Sequence, residues 1–256
     1  MTIRRRTATA DKRVRRKKGS LEELAAQLRE KPPRKRSHSL ESVARAIRDG
    51  AKPTPAERAA MTRTSESPLD VALPARPISV ELVAGRAHYE RVIAAILSAH
   101  TSVWIATANV KGLMVEGPRR QRKRDNYVSI ISLLDGLAAQ GVELRLLHAE
   151  LPSGPFREEL ANHPRLLGGG LALARCPRVH LKAVIVDGAL LYLGSANWTG
   201  AGLGAKGSGK RNFELGIVTD DAPLLDQVQG MFERIWSGGE CAGCKLKGVC
   251  PGPLDE

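Results

Sequence analysis

The sequence predicts an α/β fold: a mixed β-sheet flanked by helices, carried behind a basic, partly disordered N-terminal arm. Three observations carry this expectation. From Ile78 onward, short apolar runs of strand character alternate with stretches of helical apolar spacing. Two of the runs, AVIVD and LLYLG, flank Asp187-Gly188, a dipeptide suited to a tight hairpin turn. The positive charge lies ahead of that domain: residues 1–36 hold 14 Lys and Arg against 4 Asp and Glu, residues 37–76 hold 6 against 5, and residues 77–256 hold 20 against 18.

The pattern divides the chain into a basic arm with short helices and a linker (1–77), a main domain (78–238) and a Cys-rich C-terminal tail (239–256). Residues 1–19 are basic and poor in apolar groups, which favours disorder. Ser20-Leu21-Glu22-Glu23 begins a helix through about Glu30 with a capping box. A second helix is expected over Leu40–Arg48, and Thr54-Pro55-Ala56-Glu57 opens a third with Pro in its first turn. Residues 63–77 read as a linker. In the main domain, His88–Ser98 has helical spacing and Ser102–Ala108 is a buried strand. Asn126–Gln140 is a helix leading into strand Val142–His148. The hairpin around Asp187 follows, then strand Phe213–Thr219 and an amphipathic helix over Leu224–Trp236.

The net charge is +13. A basic arm of this kind suits an electrostatic tether to nucleic acid, with an acidic membrane surface or a merely solvated arm as alternatives. No apolar run approaches the ~20 residues of a membrane span. The first residues are charged from Arg4 and lack an apolar signal region, so a cytoplasmic protein is expected.

The chemistry concentrates in Val179–Thr199. His180-x-Lys182 is followed, after four residues, by Asp187, and then by Gly194-Ser195-x-Asn197. Alternate residues of a strand share a face, so His180 and Lys182 point the same way. The hairpin returns Ser195 and Asn197 beside them. Lys, Ser and Asn donate hydrogen bonds suited to phosphoryl oxygens, and His serves as nucleophile or proton donor. No cluster of carboxylates for a catalytic Mg²⁺ accompanies these residues, so the pattern reads as metal-free phosphoryl chemistry.

These positions resemble the phospholipase D superfamily, whose signature is H-x-K-x4-D followed by G-S-x-N. His180, Lys182, Asp187, Gly194, Ser195 and Asn197 match it, and Asn212-Phe213-Glu214 supplies the Asn-x-Glu that is also typical. The resemblance covers roughly residues 78–238. It implies a two-step displacement at phosphorus. One histidine attacks to form a phosphohistidine, while a second protonates the leaving oxygen and then activates water. This chain carries one copy of the motif; His38, His88, His100, His148 and His163 lie outside any H-x-K. A homodimer with both His180 side chains in one shared site is therefore expected. The resemblance gives Lys182 and Asn197 charge stabilisation, and Ser195 a contact to phosphate or to His180. It gives Glu214 a hydrogen bond from the ring of His180. Asp187, though part of the motif, sits at the hairpin turn and reads as structural, and Trp198 reads as core or pocket wall.

Two basic loops bear on the substrate. Arg119, Arg120, Arg122, Lys123 and Arg124 place five cations within six residues, a candidate grip on a phosphate backbone. The loop 200–211 holds Lys206, Lys210 and Arg211, and should border the site. Aromatic content of 4% gives little support for base stacking.

Cys241, Cys244 and Cys250 form C-x2-C-x5-C, and Cys176 is the fourth thiol. In a chain expected to be cytoplasmic, such spacing favours metal over disulfides. The pattern is similar to the iron–sulfur staple of certain recombination and CRISPR-associated nucleases of another fold. Zinc suits four thiolates as well, so a structural [4Fe-4S] cluster or Zn is expected. Together these features read as a metal-independent nuclease acting on DNA or RNA. The rivals are a phospholipase or cardiolipin-synthase-like enzyme and an inactive nucleic-acid-binding protein.

Overall fold

Apolar runs too short to bury themselves singly assemble into a seven-stranded mixed sheet in a computed structural model that describes residues 67–116 and 127–254. The chain divides into two units, Met1–Asp70 and Val71–Glu256, and the second is described here. The expected basic arm with its three helices, and the loop Arg119–Arg124, lie outside the described residues.

The strands are β1 (Glu81–Ala84), β2 (Ser102–Thr107), β3 (Met114–Glu116), β4 (Tyr127–Ser129), β5 (Glu143–His148), β6 (Ala172–Arg175), β7 (Ala183–Val186), β8 (Leu190–Gly194) and β9 (Leu215–Thr219). The helices are α1 (turns Arg86–His88 and Ala94–Leu97 around a π-helical Tyr89–Ile93), α2 (Ile130–Ala139), α3 (Gly154–Ala161) and α4 (Ala222–Trp236). The sheet order is β1-β9-β8-β7-β2-β5-β6. β2, β5 and β6 run parallel, while β1, β9, β8, β7 and β2 pair antiparallel in turn.

Every residue of β7, AVIV, is buried. A strand with apolar side chains on both faces needs cover on both. On one face, Val184 and Val186 join Val103, Ile105, Leu144 and Leu146 under α1, α2 and α3. On the other, Ile185 joins Trp104, Leu147 and Leu191 under Leu225 and Phe232 of α4. Arg145 on β5 fastens α4 to the sheet. Its guanidinium lies 4.5 Å from the Trp104 ring centre and 5.4 Å from that of Trp236, and pairs with Glu233 at 2.7 Å.

Local caps set the helix starts. The Ser129 hydroxyl accepts from the Ile131 N–H at 3.2 Å, and the Asp221 carboxylate accepts from the Leu224 N–H at 3.0 Å. The first cap explains one correction. The expected helix Asn126–Gln140 begins only at Ile130, because Tyr127–Ser129 pairs with Met114–Glu116 as a small antiparallel ribbon. The strand expected from Phe213 begins at Leu215, with the Phe213 side chain wholly exposed. β1, β6 and α3 were outside the sequence expectation; the two strands are four residues each, too short for alternation to register.

Candidate active site

Strand register builds the site. β7 pairs Ala183 with Ala106 on one side and with Leu193 on the other. Continuing both ladders by one residue sets Lys182 between Thr107 and Gly194, and the Gly194 N–H donates to the Lys182 carbonyl at 3.1 Å. His180 and Lys182 thus occupy the segment just ahead of β7 rather than the strand itself. They sit where β7 enters and β2 and β8 leave.

The two side chains differ in environment. His180 is exposed, whereas Lys182 is 9% exposed. Lys182 Nζ lies 3.0 Å from Nδ1 and 3.2 Å from Nε2 of His180, and 2.8 Å from the His180 carbonyl oxygen. An ammonium only donates, so it meets the ring through a nitrogen lone pair. Burial lowers the Lys182 pKa, and the Glu214 carboxylate partly offsets that.

Ser195 and Asn197 follow β8. Ser195 Oγ donates to Glu214 Oε2 and accepts from the Leu215 N–H at 3.1 Å. Asn212 Nδ2 donates to the other Glu214 oxygen at 3.1 Å. Glu214 is therefore engaged by Ser195 and Asn212 and not, as expected, by the ring of His180. The Gly194-Gly216 pair brings these segments together. A side chain at Gly194 would meet the buried Tyr192 ring and approach the Leu215 carbonyl to 2.8 Å, so only glycine fits.

Asn197 is oriented from β2. Its Oδ1 accepts from the Asn109 N–H at 3.1 Å and lies 3.3 Å from the Thr107 hydroxyl, whose one proton it shares with the Asn109 carbonyl at 3.0 Å. The Thr107 oxygen also accepts from the Trp198 N–H at 3.0 Å, and the Lys111 N–H donates to the Trp198 carbonyl at 2.9 Å. With Oδ1 so occupied, the amide NH₂ of Asn197 is the group left for a ligand. Trp198, 2% exposed, is core. Next to Asn197 a cleft of about 310 Å³ is lined by Asn109, Lys111, Asn197, Lys206 and Asn212, among others. Lys206 borders it as expected. Lys210 and Arg211 are not among its walls; Lys210 is exposed on a short turn, and the Arg211 guanidinium lies toward Gly85.

Asp187 stands at the opposite end of β7 from Lys182. Its carboxylate accepts from the N–H groups of His100, Thr101 and Ser102, at 3.0, 2.8 and 2.9 Å, and from the Thr101 hydroxyl at 2.9 Å. Partial burial pushes this carboxyl up, but the hydrogen bonds outweigh it and hold the pKa at about 2. With φ of 55°, Asp187 also takes the left-handed turn conformation. Its place and its bonds fit the structural part expected of it, tying the β7–β8 turn to the start of β2.

Among the described histidines none other faces the site openly. His88 is fully buried, edge-on to Tyr192, and burial lowers its pKa. His148 lies in the Lys182–Thr107 row, one strand beyond, but is buried with Nδ1 2.9 Å from the Glu150 carbonyl. His100 and His163 belong to other parts of the fold, beside Asp187 and Asp135. Cys176, Cys241, Cys244 and Cys250 are free thiols, each half-buried. Among the described residues no group of three or more His, Cys, Asp or Glu stands ready to hold a metal ion. No described helix is long and apolar enough to cross a membrane.

Sequence reasoning missed Thr107, Asn109 and Lys111. They lie at and beyond the carboxyl end of β2, where ligand sites of α/β sheets gather, and the T-A-N-V-K run after a buried strand was the available signal.

Comparison with known proteins identifies the family. A family model described as the PLD-like domain of cardiolipin synthase matches residues 92–236, more than half of the chain. The mitochondrial cardiolipin hydrolase of Xenopus laevis is 30% identical over 116 residues, 44% of each protein. The chain thus spans less than half the length of that relative. Among solved structures, NucT from Helicobacter pylori is 17% identical with a TM-score of 0.44, covering 62% of this chain and 95% of that one. Nuc from Salmonella typhimurium, a phospholipase D family member, is 20% identical with a TM-score of 0.44 and the same coverage. The family match runs through the strands and loops that carry His180, Lys182, Ser195, Asn197 and Glu214, and on it the chain belongs to the phospholipase D superfamily.

Proposed function

We propose that the protein is a metal-independent phosphodiesterase that cleaves DNA or RNA, with His180 as nucleophile. One observation carries the reading: an exposed imidazole is in contact with a buried ammonium, at the ends of strands that also carry Asn197, a wall of a cleft with Lys111 and Lys206. In the first step a ring nitrogen of His180 bonds to phosphorus and the bond to the leaving oxygen breaks, giving a phosphohistidine. The leaving oxygen takes a proton from a second imidazole. That imidazole then removes a proton from water, whose oxygen displaces His180. Lys182 and the Asn197 amide stabilise charge on the non-bridging oxygens. Ser195 and Asn212 position Glu214, whose charge supports the ammonium of Lys182.

The second imidazole is His180 of another copy, in a homodimer with one shared site. Two facts support this: the motif occurs once, and the other described histidines are buried or lie elsewhere. Nucleic acid is favoured over lipid by Lys111 and Lys206, which line the cleft together with Asn197, and by the basic residues 1–36. The named activity of the Xenopus relative favours a second reading, hydrolysis of a phospholipid diester. One assay separates them. Wild type and His180→Ala are compared in EDTA on single-stranded DNA, duplex DNA, RNA and cardiolipin vesicles. EDTA-resistant cleavage of nucleic acid that is lost in His180→Ala is expected. Hydrolysis of the vesicles alone would establish the lipid reading, and binding without cleavage would make the protein an inactive binder.

A further inference from the structure

The cleft beside Asn197 is held open by the backbone. One wall is the segment 109–112, which leaves β2 and is fixed on Trp198. The Lys111 N–H donates to the Trp198 carbonyl at 2.9 Å, and the buried Val110 forms a parallel bridge with the same residue. The other wall is the loop 199–206. There the carbonyl and hydroxyl of Thr199 accept from the N–H groups of Leu203 and Gly202, both at 2.9 Å, and the Lys206 N–H closes the loop on the Gly200 carbonyl at 3.1 Å. The Lys206 stem runs over Gly200, its Cε 3.6 Å from where a Cβ would stand. Asn212 is seated on this loop by its N–H, which donates to the Ala201 carbonyl at 3.0 Å.

The lining is selective. Lys111, Lys206 and the carboxamides of Asn109, Asn197 and Asn212 are accompanied only by Gly, Ala and Thr. Among the described residues that line it, none is a carboxylate, an aromatic ring or a large aliphatic side chain. A nucleobase would find no ring to stack on, and an acyl chain no apolar wall. Ammonium and amide N–H groups, with no opposing carboxylate in the walls, suit phosphate oxygens. Asn197 is a wall of this cleft and also a residue of the motif, so an anion held there lies next to the phosphate being cleaved.

We propose that the cleft is a subsite for a second phosphodiester of the same substrate, the one next to the bond that breaks, held by Lys111 and Lys206. Resting on the reading of His180 and Lys182 as a phosphodiesterase site, this subsite adds a substrate class to it: molecules that carry at least two linked phosphodiesters. A nucleic acid strand is one source of such a pair. A lipid with two phosphates joined through glycerol is another.

The test is equilibrium binding to the full His180→Ala chain, so that nothing is turned over. The probes are a thymidine dinucleotide, with one phosphodiester, and a thymidine trinucleotide, with two. Phosphatidylglycerol and cardiolipin in neutral detergent micelles give the same contrast for lipid. A further charge-assisted contact makes the trinucleotide bind about tenfold more tightly than the dinucleotide. Lys111→Ala and Lys206→Ala are each expected to cut that advantage by about threefold or more. Lys245→Ala, which removes a charge from outside the cleft walls, is expected to leave it. Equal binding of the two probes in both classes, or equal losses in all three variants, overturns the proposal. An advantage confined to cardiolipin sustains the subsite and names lipid as its source. Failure of wild type to cleave any phosphodiester would instead refute the reaction at His180, and the binding contrast would still decide the subsite.

Discussion

Lys182 Nζ touches both the imidazole and the backbone carbonyl of His180, at 3.0 Å from Nδ1 and 2.8 Å from the oxygen. The pair is therefore assembled within a single chain, at the entry to β7, before any partner or substrate arrives. The cation is fixed by burial while the imidazole stays open to solvent, which divides binding of charge from attack on phosphorus.

Replacing Lys182 by Met keeps the stem and removes the charge. Loss of a donor aimed at transition-state charge lowers kcat by about 10²- to 10³-fold. Stability changes little, because a methionine there desolvates no ammonium. The pH profile gives an independent check. Burial holds the Lys182 pKa below its ordinary 10.5, so activity falls as pH rises through that lowered value, and the alkaline limb lies below pH 10.5. For stability the sign is opposite: the fold disfavours the ammonium, and that cost is relieved as pH rises past the same point. Lys182→Arg, charged at all these pH values, moves the alkaline limb upward.

Asp187 answers to stability rather than rate. From the β7–β8 turn, its carboxylate satisfies three backbone N–H groups and one hydroxyl of residues 100–102, where the chain enters β2. Its folded pKa of about 2 lies below the ordinary 3.8. The stabilisation is therefore full above about pH 4 and is lost as pH falls toward 2. Asp187→Ala costs about 2–3 kcal/mol, from lost charged hydrogen bonds and a left-handed φ that alanine resists. Asp187→Asn, which tolerates that φ, costs less. Thermal unfolding at pH 7 and pH 3 measures both, and either variant, assayed well below its Tm, keeps wild-type kcat.

The cleft lysines speak to substrate class. Lys111→Ala with Lys206→Ala weakens binding of single-stranded nucleic acid and flattens the slope of log K against log salt by about 1.4, at about 0.7 per phosphate contact. Titrations between low and moderate salt report it. An unchanged slope would place the phosphate backbone elsewhere.

A shared site makes inactive chains dominant. When subunits of wild type and His180→Ala exchange, each mixed dimer lacks one imidazole. Activity then falls as the square of the wild-type fraction, not in proportion to it. Proportional loss, or a monomer in light scattering at assay concentration, contradicts the two-chain site.

Much of this was legible in the sequence, for physical reasons that differ by residue. The central strands β2, β7 and β8 announce themselves because burial on both faces demands nearly continuous apolar runs. The positions of Ser195 and Asn197 follow from the hairpin that Asp187-Gly188 permits. Strands β1 and β6 at the sheet edges carry no such demand and were missed. The partners of Glu214 within the chain could not be read, because a motif gives spacing but not which neighbour claims a carboxylate; Ser195 and Asn212 do. Thr107 and Lys111 went unnoticed because they reach the site through β2, distant in sequence and adjacent only once the sheet forms.

The central claim is that His180 carries the phosphoryl group. Its most direct measurement is peptide mass spectrometry of enzyme quenched in alkali during turnover of nucleic acid in EDTA, alkali being chosen because phosphohistidine is labile to acid. The expected result is a phosphonucleotide adduct on the peptide bearing His180, absent from His180→Ala, which is inactive. Unabated EDTA-resistant turnover by His180→Ala, or an adduct on another residue, would contradict it.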